Sequence, residues 1–461
     1  MAEHVNDYLG RERIGKLLLK FSIPCILSML VSSLYNIVDQ IFIGHGVGFL
    51  GNGATNVVYP ITVVSLAVAL MIGDGTAAYL SICQGRQDTE NAHRSVGNAV
   101  TLMIASGVVL AAAFLLLRDP ILHLFGATPN NIDYARQYYD IIAAGIPFFV
   151  FGVSMGSIIR ADGSPKYSMA ITVVGCIVNV ILDPIAIFVL HWGMRGAALA
   201  TVIGQIVTAV MALGYMFRMK SVKLRANSFA LKKSVLGGVL PLGLSSFLTQ
   251  LSIVVIMVVI NNILITFGAS SKYGADIPLT AVGIVSKANS LAIAFVVGIG
   301  AGSQPVVGYN YCAGQYDRVK KIYYTMIKAE CVVGLVGTIL FEVFPLQVSG
   351  LFGTQDALYN EFIVQCFRIH MATLILCCCI KASSIFLQAI GRPVMSTVLS
   401  TTRDFILSIP LQLILPRFLG VIGTIWAIPI IDTVGIIMTF FMIRKVFRDF
   451  DRDQVKRLAN S

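Results

Sequence analysis

Twelve apolar runs dominate the chain, at 17–43, 54–80, 95–117, 133–158, 167–190, 196–218, 235–266, 277–305, 322–345, 359–388, 394–416 and 420–443. About 20 such residues make enough helix to cross the hydrocarbon core of a bilayer. No water is available there to satisfy backbone N–H and C=O groups, so each run is expected to satisfy them internally, as a helix. The fold class that follows is an all-α integral membrane protein of about twelve transmembrane helices. Several runs exceed the minimum length, which predicts tilted or kinked spans. Composition agrees, with 56% hydrophobic and only 12% charged residues, against about 25% charged in soluble domains.

The charge balance fixes an orientation. Lys+Arg (34) exceed Asp+Glu (23), for a formal charge of +11. The basic residues fall between the apolar runs and not in one patch with interleaved aromatics, which argues against nucleic acid as a partner. With the amino-terminus inside, the cytoplasmic segments carry Arg86 and Arg94, Arg160 and Lys166, a cluster from Arg218 to Lys233, then Arg318, Lys320, Lys321 and Arg392, and a basic tail from Arg444 to Arg457. The outer loops hold little beyond Arg118, Arg195, Lys272 and Arg417. Moving the frame by one helix would reverse the asymmetry, so both termini are expected in the cytoplasm. The polar stretch Met1 to Gly15, with Arg11 and Arg13, leads into the first span without a small-residue cleavage site, as expected for a retained span.

The longest cytoplasmic connection lies near the middle of the chain and divides six helices from six. The expected organisation is an amino-terminal lobe at 1–218, a linker at 219–234, a carboxy-terminal lobe at 235–443 and a basic tail at 444–461. Corresponding positions look alike. Pro24 early in the first helix matches Pro241 early in the seventh, and Gly73-Asp74-Gly75-Thr76 matches Gly300-Ala301-Gly302-Ser303. Gly85-Arg86-Gln87-Asp88 resembles Gly314-Gln315-Tyr316-Asp317, Gly163-Ser164-Pro165 recurs as Gly391-Arg392-Pro393, and Gly193 to Gly196 recurs as Gly420 to Gly423. Both halves begin on the same side, so the repeat is parallel, with its axis along the membrane normal, as in two-lobed transporters.

Ionisable groups within the bilayer are costly and tend to line cavities or ion paths. With 1.5 Å of rise per residue, Asp39 lies roughly 8 Å from the outer end of its helix, Asp183 roughly 12 Å and Thr201 roughly 8 Å. Three helices thus bring polar groups to one level. Asn179 and Asp183 share a helix face at i,i+4, and Tyr35 stands at i−4 to Asp39. Pro184 removes a backbone N–H and leaves the Val180 carbonyl without its usual partner, which marks a bend. Two carboxylates without a Lys or Arg partner cannot both stay ionised cheaply in a low dielectric, which suits a proton carrier. The same oxygens, with Asn179 and Thr201, suit Na+. The bland alternative is a buried polar knot that pins helices together. Asp74, between two glycines, reads as a solvated or capping group. Lys287, Arg368, His370, Lys381, Arg403 and Asp404 read as structural polar contacts and snorkelling cations, with Arg403 and Asp404 diverging round their helix. The nine cysteines, among them the run Cys377-Cys378-Cys379, lie mostly in apolar runs without metal-ligand spacing and read as small buried side chains.

Pro24 with Asn36-Ile37-Val38-Asp39-Gln40-Ile41-Phe42-Ile43-Gly44, the connection Arg160-Ala161-Asp162-Gly163-Ser164-Pro165-Lys166, and Asn179 with Asp183-Pro184 resemble the multidrug and toxic compound extrusion (MATE) family. Arg403, Ile409-Pro410-Leu411, Leu415-Pro416, Gly423 and Asp432 resemble a bacterial branch that exports cationic biocides and dyes. The resemblance implies two six-helix lobes facing a central cavity, in the bacterial cytoplasmic membrane. It also implies secondary active export of small amphipathic organic cations against H+ or Na+, with no other cofactor. In one group of relatives the coupling site falls on residues matching Asp39, Asn179, Asp183 and Thr201. Tyr35, Asn36, Asp39 and Asp183 are then candidate cavity residues, and Pro24 and Pro184 candidate bending points. Another group uses second-lobe acids in helices seven and ten, where this chain has Gln250, Asn261, Asn262, Arg368 and Lys381. First-lobe proton coupling is therefore preferred, and a monomer is expected. The rival reading is a lipid-linked sugar flippase, which would need cavity cations such as Lys287, Arg368 or Arg403 to hold phosphates. No HExxH or nucleotide-binding motif points to an enzyme or to direct use of ATP.

Overall fold

The structure, a computed structural model, describes residues 8–125, 127, 131–274, 276–350 and 357–459. Its long helices follow the apolar runs. In the first half these are α1 (Ile14–Gly46), α2 (Phe49–Arg86), α3 (Thr89–Leu116), α4 (Ile132–Ala161), α5 (Pro165–Pro184) and α6 (Gly193–Met216). The second half has α7 (Lys233–Ala269), α8 (Asp276–Cys312), α9 (Tyr316–Val343) and α10, in two pieces at Ala357–Met371 and Leu374–Ala389. It ends with α11, also in pieces at Pro393–Thr401 and Ser408–Leu419, and α12 (Gly423–Ala459). By length and apolarity alone, nine helices among the described residues qualify as spans, or ten if the two pieces of α10, bent by 43°, count as one. The remaining two are α9, which carries Lys328 and Glu330 part-way along, and one of α11 and α12, which form a single apolar run folded back at Gly420.

The turns explain why the two halves read alike. Gly163 (φ 85°) and Gly391 (φ 73°) each take a left-handed conformation that favours glycine. Pro165 and Pro393 then open the next helix at its first turn, where a missing N–H costs nothing. At the α2–α3 and α8–α9 turns the left-handed residues are Gln87 and Gly314. Asp88 and Gln315 follow as N-caps, so the structural register pairs Gln87, not Gly85, with Gly314. That register differs by two residues from the one suggested by the matching glycines.

We call the side of the bundle on which α1 starts and α12 ends the near face. The two lobes meet where α1 packs on α8 and α2 packs on α7. Both contacts are backbone to backbone. A Cβ on Gly302 would lie 2.6 Å from the Ser22 Cα, and one on Gly243 would lie 1.8 Å from the Met71 carbonyl oxygen. All four of these residues sit in the near-face halves of their helices. In the far-face halves of α1 and α7, Leu34, Ile37, Ile41, Met257 and Val258 are exposed. The close backbone crossings thus clasp the lobes on the near face. The segment between α6 and α7 is tied to the first lobe: the Asn98 amide donates to the Ser228 and Ala230 carbonyls, both at 2.9 Å. Buried Asp162 accepts from Tyr215 (2.7 Å) and from the backbone N–H groups of Lys220 and Ser221, both at 2.8 Å.

Candidate ion-coupling site

Four helices of the first lobe bring polar groups together in the far-face half of the bundle. Asp39 comes from α1, Tyr138 from α4, Asn179 and Asp183 from α5, and Thr201 from α6. Asp39 is 8% exposed, Asn179 2% and Asp183 0%. The Asp39 and Asp183 carboxyl groups lie within hydrogen-bonding reach of each other. Asn179 links them to α6: with its amide nitrogen toward Asp183, it donates to Asp183 Oδ2 at 3.2 Å, and its oxygen accepts from the Thr201 N–H at 3.2 Å and hydroxyl at 3.3 Å. That orientation gives every amide atom a complementary partner. Tyr138 stands close to Thr201 and, like Tyr35, to both carboxyl groups.

A carboxylate accepts and cannot donate, so two carboxyl groups hydrogen-bond only if one holds a proton. Fully ionised at about 4 Å, they would repel by about 4 kcal/mol at an effective dielectric near 20. Asp39 Oδ1 and Asp183 Oδ1 are buried without a hydrogen-bond partner. No Lys or Arg forms an ion pair with either group among the described residues. The arrangement can thus take up a proton, or offer carboxylate, amide and hydroxyl oxygens to a hard cation.

Asp39, Asn179, Asp183 and Thr201 are brought together, with Tyr35 at their edge. Asn36 is not among them: it is exposed, and its amide donates to the Ser32 carbonyl at 2.6 Å. One step along α1 from Tyr35 turns its side chain about 100° away. Pro24 is buried within α1, which stays helical through it. Directly after Pro184 the chain continues as a π-helical turn, Ile185–Val189, the local unwinding expected where the i→i−4 ladder loses a donor. Tyr138 was not singled out in the sequence. It lies six residues into α4, roughly 9 Å deep, so its depth fits the cluster. Its neighbour Tyr139 fits equally by depth, yet bonds the Phe114 carbonyl at 2.9 Å.

A family model described as MatE matches residues 24–185 and 241–414. The chain belongs to the MATE family. It is 26% identical over 446 residues to a multidrug export protein, MepA, of Staphylococcus haemolyticus, covering 95% of this chain and 94% of that one. A multidrug resistance MATE transporter solved in an outward-facing conformation superposes with a TM-score of 0.90 at 25% identity, covering 98% of this chain and 99% of the other. A MATE structure described as bent superposes at 0.89, also at 25% identity, over 99% and 100% of the two chains.

The second lobe of this MATE transporter handles buried charge differently. Arg403 donates through Nε (3.1 Å) and Nη2 (2.7 Å) to Asp432 Oδ1 and through Nη1 (2.8 Å) to Asp404 Oδ1. The Thr373 hydroxyl donates to Asp432 Oδ2 at 2.9 Å. Arg403 and Asp404 lie in a π-helical turn, Thr402–Leu407, inside α11, and they meet because the long arginine side chain reaches back to its neighbour. Arg368 is exposed and lies 3.9 Å from Glu342. The Lys287 side chain lies outside the described residues. Asp74, half-buried, caps no helix but bridges several. Its Oδ1 accepts from Ser157 of α4 at 2.8 Å, and its Oδ2 accepts from Ser246 of α7 at 3.0 Å. The Gln304 amide of α8 donates to its carbonyl at 3.4 Å. This carboxylate thus ties the two lobes together beside the Gly243 crossing.

Proposed function

We propose that the protein exports small amphipathic, mostly cationic compounds across a bacterial cytoplasmic membrane by antiport with H+, working as a monomer with both termini in the cytoplasm. The observation that carries this reading is the facing pair of buried carboxyl groups, Asp39 and Asp183, without a basic partner. Relatives named for multidrug export support the substrate class. In this reading a cleft between the lobes first opens to the outside, and a proton taken up by the pair removes their repulsion and lets α1 and α5 close on each other. The π-helical turn after Pro184 gives α5 a place to bend as they do. The cleft contracts and the drug leaves. Once the lobes reopen on the cytoplasmic side the proton is released, and the ionised pair again favours an organic cation. Antiport needs only that the two ligands favour opposite states. Na+ can occupy the same oxygens, with Asn179 and Thr201 as neutral ligands.

The test is ethidium efflux from proteoliposomes, wild type against Asp183→Asn, under pH and Na+ gradients imposed separately. Efflux driven by the pH gradient and lost in Asp183→Asn supports the reading. Efflux driven by Na+ alone reassigns the ion, and no dye movement with correctly inserted wild type removes the export reading. A lipid-linked sugar flippase needs free cavity cations, and the Arg403 guanidinium is already engaged by Asp432 and Asp404. Phosphate-dependent transport would bring that second reading back.

A further inference from the structure

We infer that the near-face end of α12 is a binding site for an anionic phospholipid. From Gly423 to Arg444 the helix rises roughly 32 Å, about the thickness of the hydrocarbon core, so Arg444 arrives at the level of the headgroups. Val434, Ile437 and Phe441 are exposed along one face below it. Arg444, Lys445, Arg448 and Arg452, all exposed, continue that face at helical spacing. An apolar, acyl-facing stripe thus runs directly into a basic one. Phe441, the four basic side chains and Asp449 line a cleft of about 470 Å³.

The acids beside this face are drawn away from it. Asp449 accepts from Arg392 at 2.6 Å, and Asp451 pairs with Lys320. None of the four basic residues forms an ion pair among the described residues, whereas Lys16 and Arg94, elsewhere on the near face, are paired with Glu12 and Glu90. Four uncompensated cations over a lipid-facing apolar strip match a phosphodiester headgroup in charge and its acyl chains in polarity. Arginine also offers the fork geometry that grips phosphate oxygens. A soluble phosphate would use the cations but not the strip below them. The inference depends on a membrane-embedded chain and not on what the chain exports.

The experiment is native mass spectrometry of the full-length protein in detergent, titrated with phosphatidylglycerol and, separately, with phosphatidylcholine. Near an anionic surface each Lys or Arg is worth about fivefold in binding. The triple variant Arg444→Gln, Arg448→Gln, Arg452→Gln should therefore lose phosphatidylglycerol affinity by on the order of a hundredfold. A charge-matched triple at other exposed near-face positions, Lys223→Gln, Arg225→Gln, Lys233→Gln, should stay close to wild type. Glycerol phosphate at equal concentration should not compete. Unchanged affinity in the first triple, equal loss in the second, or full competition by glycerol phosphate overturns the site. Should the first triple fail to fold, wild-type retention is measured against salt: a steep fall is expected, and salt-insensitive retention overturns the inference.

Discussion

Gly243→Ala should unlock the near-face closure. A Cβ at position 243 would stand 1.8 Å from the Met71 carbonyl oxygen, and carbon and oxygen in contact need about 3.3 Å. The α2 and α7 backbones must therefore part by about 1.5 Å at this crossing, or one must bend. Overpacking of this kind costs about 1–3 kcal/mol. The cost falls only on the state in which these helix halves touch, so the balance between far-face-open and near-face-open states should move toward the latter by about 5- to 150-fold. The measurement is the distance distribution by pulsed electron spin resonance between labels at positions 86 and 233, one on each lobe at the near face. Accessible native cysteines are replaced first. Wild type should give mainly the short distance, and Gly243→Ala a substantial longer component. The control is Gly237→Ala on the same helix, whose Cβ would meet nothing within 4 Å. If the two variants give the same distribution, the close crossing does not govern which face is open.

The polar clasp beside this crossing is expected to act in the same direction and by a similar amount. Asp74→Ala removes the acceptor for Ser246, a hydrogen bond to a charged group worth about 1.5–3 kcal/mol, and the same labels should report a comparable long-distance component. Asp39→Asn and Asp183→Asn should each abolish efflux driven by a pH gradient while leaving the melting temperature at or above wild type, because each relieves a like-charge pair; a large fall in melting temperature would instead mark a structural knot. Thr201→Val keeps the shape of the side chain but removes the hydroxyl. It should weaken any Na+-driven efflux at least tenfold and proton-driven efflux much less, as paired flux assays would read. Pro184→Ala restores an N–H to α5 and should slow turnover while drug binding by fluorescence polarisation stays near wild type.

The number of spans and the depth of the polar residues were legible because both depend only on position along the chain. An apolar run has countable ends, and 1.5 Å per residue converts sequence distance into depth. Asp39, Asp183 and Thr201 could be matched that way before any helix was placed, and Asn179 joined them through its i,i+4 spacing to Asp183. What remained hidden depends on rotation about the helix axis. In a soluble helix, apolar periodicity reveals which face is inside. In a membrane helix the lipid-facing side is as apolar as the packed side, and the pattern falls silent. Tyr138 and Tyr139 share a depth and differ only in direction, so nothing in the sequence chose between them. Asn36 likewise shares its depth with Tyr35 and differs from it in direction, by about 100° round the helix. Asp74 was read as solvated because its partners, Ser157 and Ser246, lie 83 and 172 residues away. The ion pair between adjacent Arg403 and Asp404 depends on the reach and direction of a long arginine side chain, which helix spacing does not reveal.

The two lobes divide the electrostatic labour, and the division bears on where the ion acts. A buried carboxylate needs a positive partner, and the chain can supply one covalently or leave the place for a mobile ion. In the second lobe Asp404 and Asp432 have Arg403, held through three donor groups and backed by Thr373. Breaking such a pair leaves an uncompensated buried charge and costs about 3–5 kcal/mol, too much for a step repeated in every transport cycle. In the first lobe Asp39 and Asp183 face each other with an unsatisfied oxygen on each, and in the proposed function a proton or a cation from outside completes them. A group that carries its own counter-ion stiffens a lobe, whereas a group that lacks one can be switched by whatever supplies it. On that ground the proposed coupling belongs to the first lobe, with the second-lobe cluster as the frame against which it would bend.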